Sequence, residues 1–301
     1  ATASGFGAVA ALSKIQKFSI EEIHNALGIM YSQTCGNMQS HVEGVPILGL
    51  QVGFNAKAAL ASMDLTKAGF PGPKRVFNGE HGYFKLIEND DYDISYLQEN
   101  IGKLWMVNQL AHKPFPSGRL THGLVHAIKD LKLKHGLNKD DIESIECLVP
   151  PGVYKLVARP IIDNLTTNYS KLCAKFVGAS FMINDHLNIE TFTEKKYLNN
   201  KDTLNFAKKI TMIKNDKLDQ KVLTPQKFVI TLVNDSKIEI NLDHVYGHPK
   251  APLSEKEYLK KFSNCCFSST KKMDKNQVNG MVDFIFDLEN KENVIDFFKI
   301  I

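Results

Sequence analysis

The chain is 301 residues long, 43% hydrophobic, 23% charged and 9% aromatic, which excludes collagen-like, disordered and coiled-coil classes and leaves room for about two domains of roughly 150 residues each. Lys plus Arg number 37 against 33 Asp plus Glu, a net charge of +4 that falls unevenly, −2 over residues 1–112 and +6 over 113–301. Arginine occurs only at Arg75, Arg119 and Arg159, so no nucleic-acid partner is expected, and no apolar run approaches the roughly 18 residues that would cross a bilayer.

The first third reads as helical. Ser19-Ile20-Glu21-Glu22 has the form of a capping box, and Ile20, Ile23, Ala26, Leu27 and Met30 follow at helical spacing. A second helix is expected from about Gly53, rich in alanine and therefore closely packed, with Gly69 as its left-handed cap and Pro71 and Pro73 preventing continuation. Residues 78–93 are polar and predict a surface loop.

Character changes near Lys113. Lys113-Pro-Phe-Pro-Ser-Gly118 is held extended by its prolines, and a helix from about Arg119 to His135 follows, closed by Gly136. Ile142, Ile145 and Cys147-Leu148-Val149 predict a buried strand. Phe228, Ile230, Leu232 and Ile238, Ile240, Leu242 alternate around Asn234-Asp235-Ser236, which predicts a hairpin. From Ser254 the pattern is helical again. The expected fold is mainly α with an α+β insert: an all-helical domain from residues 1–112 and 251–301, and a smaller α+β lid domain at 113–250.

The segment Lys113 to His122 carries the densest chemistry. An extended turn entering a helix places Lys113, Ser117, Arg119 and Thr121 beside helix-terminal amides, a setting that attracts carboxylates. Read on its own, His122 is either a proton carrier near neutral pH or a hydrogen-bonded interior histidine, and Arg119 either a ligand or a solvated cation. Glu80-His81 reads as a pair in a polar loop. His244, Tyr246 and His248 alternate as though along a strand end and would share one face. Gly53 and its alanines read as packing, and the lysine pairs at 208–209 and 271–272 as solvated faces. Five scattered cysteines, with no C-x-x-C and no H-E-x-x-H, predict reduced thiols and no metal.

Taken together and in order, several segments resemble the MmgE/PrpD superfamily. They are Ala1-Thr2-Ala3-Ser4-Gly5-Phe6-Gly7-Ala8, Ala26-Leu27-Gly28-Ile29, Ser32-Gln33-Thr34-Cys35-Gly36, Gly53-Phe54-Asn55-Ala56 and Gly69-Phe70-Pro71-Gly72-Pro73. Glu80-His81-Gly82-Tyr83, Lys113-Pro-Phe-Pro with Thr121-His122, Ala174-Lys175-Phe176, Gly247-His248-Pro249 and Lys261-Phe262 continue the register. The resemblance covers essentially the whole chain. It implies a homodimer and a cofactor-independent lyase, a dehydratase or decarboxylase, acting on a small di- or tricarboxylate such as cis-aconitate or 2-methylcitrate. Lys113 would bind a substrate carboxylate and His122 would assist proton transfer, with Ser117, Arg119 and Thr121 as substrate-binding neighbours. It further places Leu48 where members carry a lysine, Gly118 where the decarboxylase carries a histidine and Ser180 where members carry a tyrosine. A catalytically impaired relative serving as a binding or structural dimer is therefore the alternative. Members carry a helical stretch upstream of the position of Ala1, so further N-terminal sequence is expected. An intracellular site, cytoplasmic or mitochondrial, is the corresponding expectation.

Overall fold

Ser19 begins the clearest local structure. Its hydroxyl accepts the Glu22 amide at 3.3 Å while Glu22 reaches back to the Ser19 amide at 2.7 Å, satisfying two donors that a helix start leaves orphaned. The computed structural model describes residues 2–301, the side chain of Leu97 apart, so Ala1 of the first resembling segment lies outside it. The chain divides into two compact units, one ending at Trp105 and the other spanning Met106–Ile301.

The first unit is helical: α1 (Ser4–Ile15), α2 (Ile20–Tyr31), α3 (Gln39–Glu43), α4 (Ile47–Lys67), α5 (Tyr83–Ile87) and α6 (Ile94–Asn100). Its core gathers Phe6, Val9, Ala26, Met30, Ala59, Met63 and Tyr83. Helix α4 begins at Ile47, after Pro46, six residues ahead of the expected start, because Gly49 and Gly53 are tolerated within a helix whose other residues form it well. Its buried stripe is Gln51, Asn55, Ala59, Ser62, Met63 and Thr66. Gly53 faces open space, which corrects the packing role expected of it. The amides of Gln51 and Asn55 instead bond the backbone of Asn37 and Cys35, so these polar groups are buried with partners. Gly69 takes φ +85° just past the helix, as expected. The expected loop at 78–93 contains α5, since Tyr83 is buried edge-on against Phe6 with ring centroids 5.4 Å apart.

In the second unit, 3-10 turns at Met106–Gln109 and Arg119–Thr121 precede α7 (His122–His135), so the regular helix starts three residues later than the sequence pattern suggests. Then come β1 (Ile142–Val149), α8 (Pro151–Val157), α9 (Thr167–Lys171), α10 (Ala174–Asn184), α11 (Glu190–Thr193), α12 (Lys195–Leu198), α13 (Lys201–Lys208), β2 (Ile210–Lys214), β3 (Gln226–Leu232), β4 (Lys237–Leu242), α14 (Glu255–Phe267) and α15 (Lys275–Phe286). Among the described residues the strands form one sheet in the order β2-β1-β3-β4. The β1–β2 pair is parallel, Ile145 opposite Ile210, and the other pairs are antiparallel. The molecule is thus mainly helical with one small mixed sheet.

The hairpin falls where expected, with Asp235 at φ +64° in its turn. Strand β2 has no counterpart in the sequence reading. Helix α10 is buried almost all round, as a helix without a polar face must be, and it packs between α7 and α13. Phe176, Phe192, Phe228, Ile128, Leu131 and Ile230 are the large buried side chains of this core.

Candidate functional site

Pro114 and Pro116 keep the segment after Lys113 out of a helix, and two backbone bonds fix its ends: the His112 amide donates to Gly247 at 2.8 Å and the Gly118 amide to Lys171 at 2.8 Å. Gly247 has φ +90°, and a Cβ there would also run into the His112 carbonyl and come within 3.3 Å of Pro114. Only glycine serves at that position. Arg119 ties the same loop down, donating to Tyr246 O at 2.8 Å and Val245 O at 2.9 Å. The Tyr246 amide donates to His126 Nδ1 at 3.2 Å.

Behind the segment runs a buried polar chain whose direction follows from its end. Thr121 must donate its single hydroxyl proton to the Gly118 carbonyl, 2.8 Å away. The Thr121 oxygen therefore accepts from the Ser117 hydroxyl at 3.0 Å, and Ser117 in turn accepts from His122 Nε2 at 3.0 Å. His122 is thus the Nε2–H tautomer. Its Nδ1 is buried with no hydrogen-bond partner among the described residues. Burial first, then the charges of Arg119 and Lys113, lower the ring to about 3, so it is neutral at pH 7.

Lys113 points a different part of the segment into a cavity of about 650 Å³, together with Pro114, Phe115 and Pro116. Phe115 is the link between the two layers, since its ring meets that of His122 edge-on at 5.4 Å. The cavity is otherwise walled by Lys129 of α7, the turn after α10, Tyr246, and one face of α14. Glu257, Lys260, Lys261, Asn264 and Ser268 line it at offsets of zero, three, four, seven and eleven, which is one helical stripe.

The two carboxylates of this wall are already engaged. Glu257 Oε1 pairs with Lys129 at 3.1 Å, its Oε2 accepts from the Ser254 amide and hydroxyl at 2.9 and 2.7 Å, and Asp185 pairs with Lys132. Burial alone would raise Glu257, but the Tyr246 hydroxyl beside it, Ser254 and Lys129 outweigh that and hold it at about 2. The Tyr246 hydroxyl itself is buried short of hydrogen-bond geometry, and burial raises it. Lys113, Lys260 and Lys261 form no ion pair among the described residues. Lys113 is an exposed residue overall. Even so, its ammonium is lowered, by desolvation first and then by the charges of Lys261 and Arg119.

The structure therefore brings Ser117, Thr121 and His122 into one chain, sends Lys113 into the cavity and gives Arg119 to two backbone carbonyls. His244, Tyr246 and His248 do not alternate along a strand: β4 ends at Leu242, and beyond it His244 and His248 stack at 4.6 Å while Tyr246 turns to His126 and Lys129. The sequence reading missed Lys129, Glu257 and Lys260. The polar stripe of α14, read at helical spacing, was the signal for the last two.

A model of the MmgE/PrpD C-terminal domain matches residues 115–283, and one of the N-terminal domain matches residues 1–95. Cis-aconitate decarboxylases of Mus musculus and Homo sapiens are each 23% identical over 95% of this chain, covering 58% and 59% of their own lengths. Cis-aconitate decarboxylase of Aspergillus terreus is 21% identical over 94% of the chain and 60% of its own. The chain spans about three fifths of the length of the relatives it matches. No helix of the described residues is long and apolar enough to cross a membrane.

Proposed function

The chain belongs to the MmgE/PrpD family, and from that premise we propose that it serves as a cofactor-independent lyase, a dehydratase or decarboxylase, on a small di- or tricarboxylate such as cis-aconitate or 2-methylcitrate. The observation that carries the reading is the cavity itself, in which Lys113, Lys260 and Lys261 are left without anions while both carboxylates of the wall are satisfied elsewhere. A polycarboxylate supplies the missing charges.

In this reading Lys113 binds the carboxylate next to the reacting carbon. Loss of a proton or of carbon dioxide at that carbon pushes an electron pair towards the carboxylate, and an ammonium held there stabilises the developing enolate-like charge. His122, which lies behind Phe115 and is not part of the cavity wall, keeps a lone pair at Nδ1 and is the proposed proton carrier. Bound substrate would cancel part of the positive charge that lowers it, making the ring more basic when it is needed, although desolvation persists. Ser117 and Thr121 act by holding the ring in its tautomer, and Arg119 by fixing the loop that carries Tyr246.

A helical domain from residues 1–112 and 251–301 around a lid at 113–250, and a homodimer, belong to the same proposal. Ile47, Leu50 and Phe54 support the dimer, since they leave one face of α4 apolar and exposed.

The test is turnover of cis-aconitate and 2-methylcitrate by the full natural protein, followed by proton resonance. Lys113→Ala is expected to slow it at least tenfold, and unchanged turnover would remove Lys113 from the mechanism. One observation favours the second reading, a relative that binds without reacting. A Cβ at Gly118 would come within 2.9 Å of the Leu172 side chain and 3.3 Å of the Lys171 carbonyl, so the histidine that the resemblance expects there would have to displace Leu172. Tight calorimetric binding with no turnover would select that reading.

A further inference from the structure

Helical geometry ordinarily pairs a lysine with a glutamate four residues earlier. Lys261 has such a neighbour in Glu257, yet no pair forms. The two oxygens of Glu257 are taken by Lys129 on one side and by the Ser254 amide and hydroxyl on the other. Lys261 therefore enters the cavity wall with its charge uncompensated, on the stripe of α14 that also carries Lys260 and Asn264. Its charge is one of those that lower Lys113, and His122 feels both. Two unpaired ammonium groups on one cavity, supplied by different segments, repel each other unless an anion lies between them.

We propose that Lys261 is a second carboxylate-binding residue of this cavity, which with Lys113 selects ligands bearing two separated carboxylates over those bearing one. The inference rests on the polycarboxylate reading above and deepens it. Lys113 holds the carboxylate beside the reacting carbon, and Lys261 holds a distal one, so Lys261 governs which acids bind rather than how the bond breaks. A monocarboxylate satisfies one cation and leaves the other as it was. A di- or tricarboxylate relieves both.

The experiment is calorimetric titration of the full protein with cis-aconitate, succinate and propionate at low and physiological salt. Lys261→Ala is expected to weaken cis-aconitate and succinate about tenfold, one charge-assisted contact partly exposed to water, and to leave propionate unchanged. Lys261→Arg should restore most of the loss. Lys256→Ala, on the same helix but outside the cavity lining, should change nothing, which separates the effect from a general loss of charge. In turnover assays Lys261→Ala should raise KM for the tricarboxylate with kcat nearly intact. If Lys261→Ala binds the three acids in the same ratio as the natural protein, the assignment of Lys261 falls while the polycarboxylate reading stands. If the natural protein binds none of them, both fall together.

Discussion

His122 gives its Nε2 proton to the Ser117 hydroxyl at 3.0 Å and leaves Nδ1 without a partner among the described residues. Burial, and then the charges of Arg119 and Lys113, keep the folded ring neutral, at about 3 against its ordinary 6.5. Between those values the unfolded chain binds a proton that the folded chain refuses, so stability rises with pH across that window. The ring imposes no penalty above pH 6.5 and destabilises progressively as pH falls towards 3, by about 1.4 kcal/mol for each unit traversed. Urea unfolding measured from pH 7 to pH 4.5 should lose stability on this account. His122→Gln, which keeps an amide donor for Ser117 but no titrating ring, should flatten the curve. Parallel curves for the two proteins would show that His122 is not the group responsible.

Much of this arrangement was legible from short-range pattern. The Ser19–Glu22 cap, Gly69, Gly136 and the turn at Asn234-Asp235-Ser236 each report backbone geometry that a few residues determine. Strand β2 was not legible, because Ile210–Lys214 is a short stretch with Thr211 inside it, and its parallel partner β1 lies across a long helical crossover that no local period encodes. At the site, Lys113 and His122 stood out through the proline turn that precedes them. Glu257 and Lys261 stand four apart on a helix, a spacing that ordinarily pairs them, and only the positions of Lys129 and Ser254 reveal that no pair forms.

Gly28 and Gly72, which belong to two separate resembling segments, prove to be one contact. A Cβ on Gly28 would lie 2.6 Å from Pro73 N and 2.7 Å from the Gly72 carbonyl carbon, and one on Gly72 would lie 3.0 Å from the Gly28 Cα. These neighbours are backbone and cannot swing aside. Gly28→Ala should therefore cost about 1–3 kcal/mol by overpacking. Gly53→Ala, in open space on α4, should instead stabilise by up to about 1 kcal/mol through helix propensity. Chemical denaturation of the two variants should move the midpoint in opposite directions, and equal shifts would contradict the packing described.

Arg119 grips two successive carbonyls, Val245 and Tyr246, with the two arms of its guanidinium. A lysine reaches one of them and keeps the charge, so Arg119→Lys isolates the geometry from the electrostatics. The loss of one charge-assisted bond in a half-buried setting should cost about 1–3 kcal/mol. It should appear locally as faster hydrogen exchange at the amides of Gly247 and His248, which donate within this loop to Ala251 and Val245. Unchanged exchange there would mean that the loop holds itself without Arg119.

Ser254 joins helix stability to the cavity's charge. Its hydroxyl and amide both donate to Glu257 Oε2, drawing the carboxylate back to the start of α14 and away from Lys261. Glu257, held at about 2, stays an anion throughout the neutral range, so any freedom it gains is the freedom of a charge. Ser254→Ala removes one of the two restraints. The start of α14 should lose about 1 kcal/mol, and the released carboxylate oxygen has Lys261 one turn away as its next partner. A dicarboxylate would then compete with Glu257 for Lys261 and bind more weakly, most clearly at low salt. Ser254→Thr, which keeps the hydroxyl, should preserve both properties. If Ser254→Ala melts earlier yet binds succinate as tightly as the natural protein, Glu257 does not reach Lys261 when released, and the serine serves the helix alone.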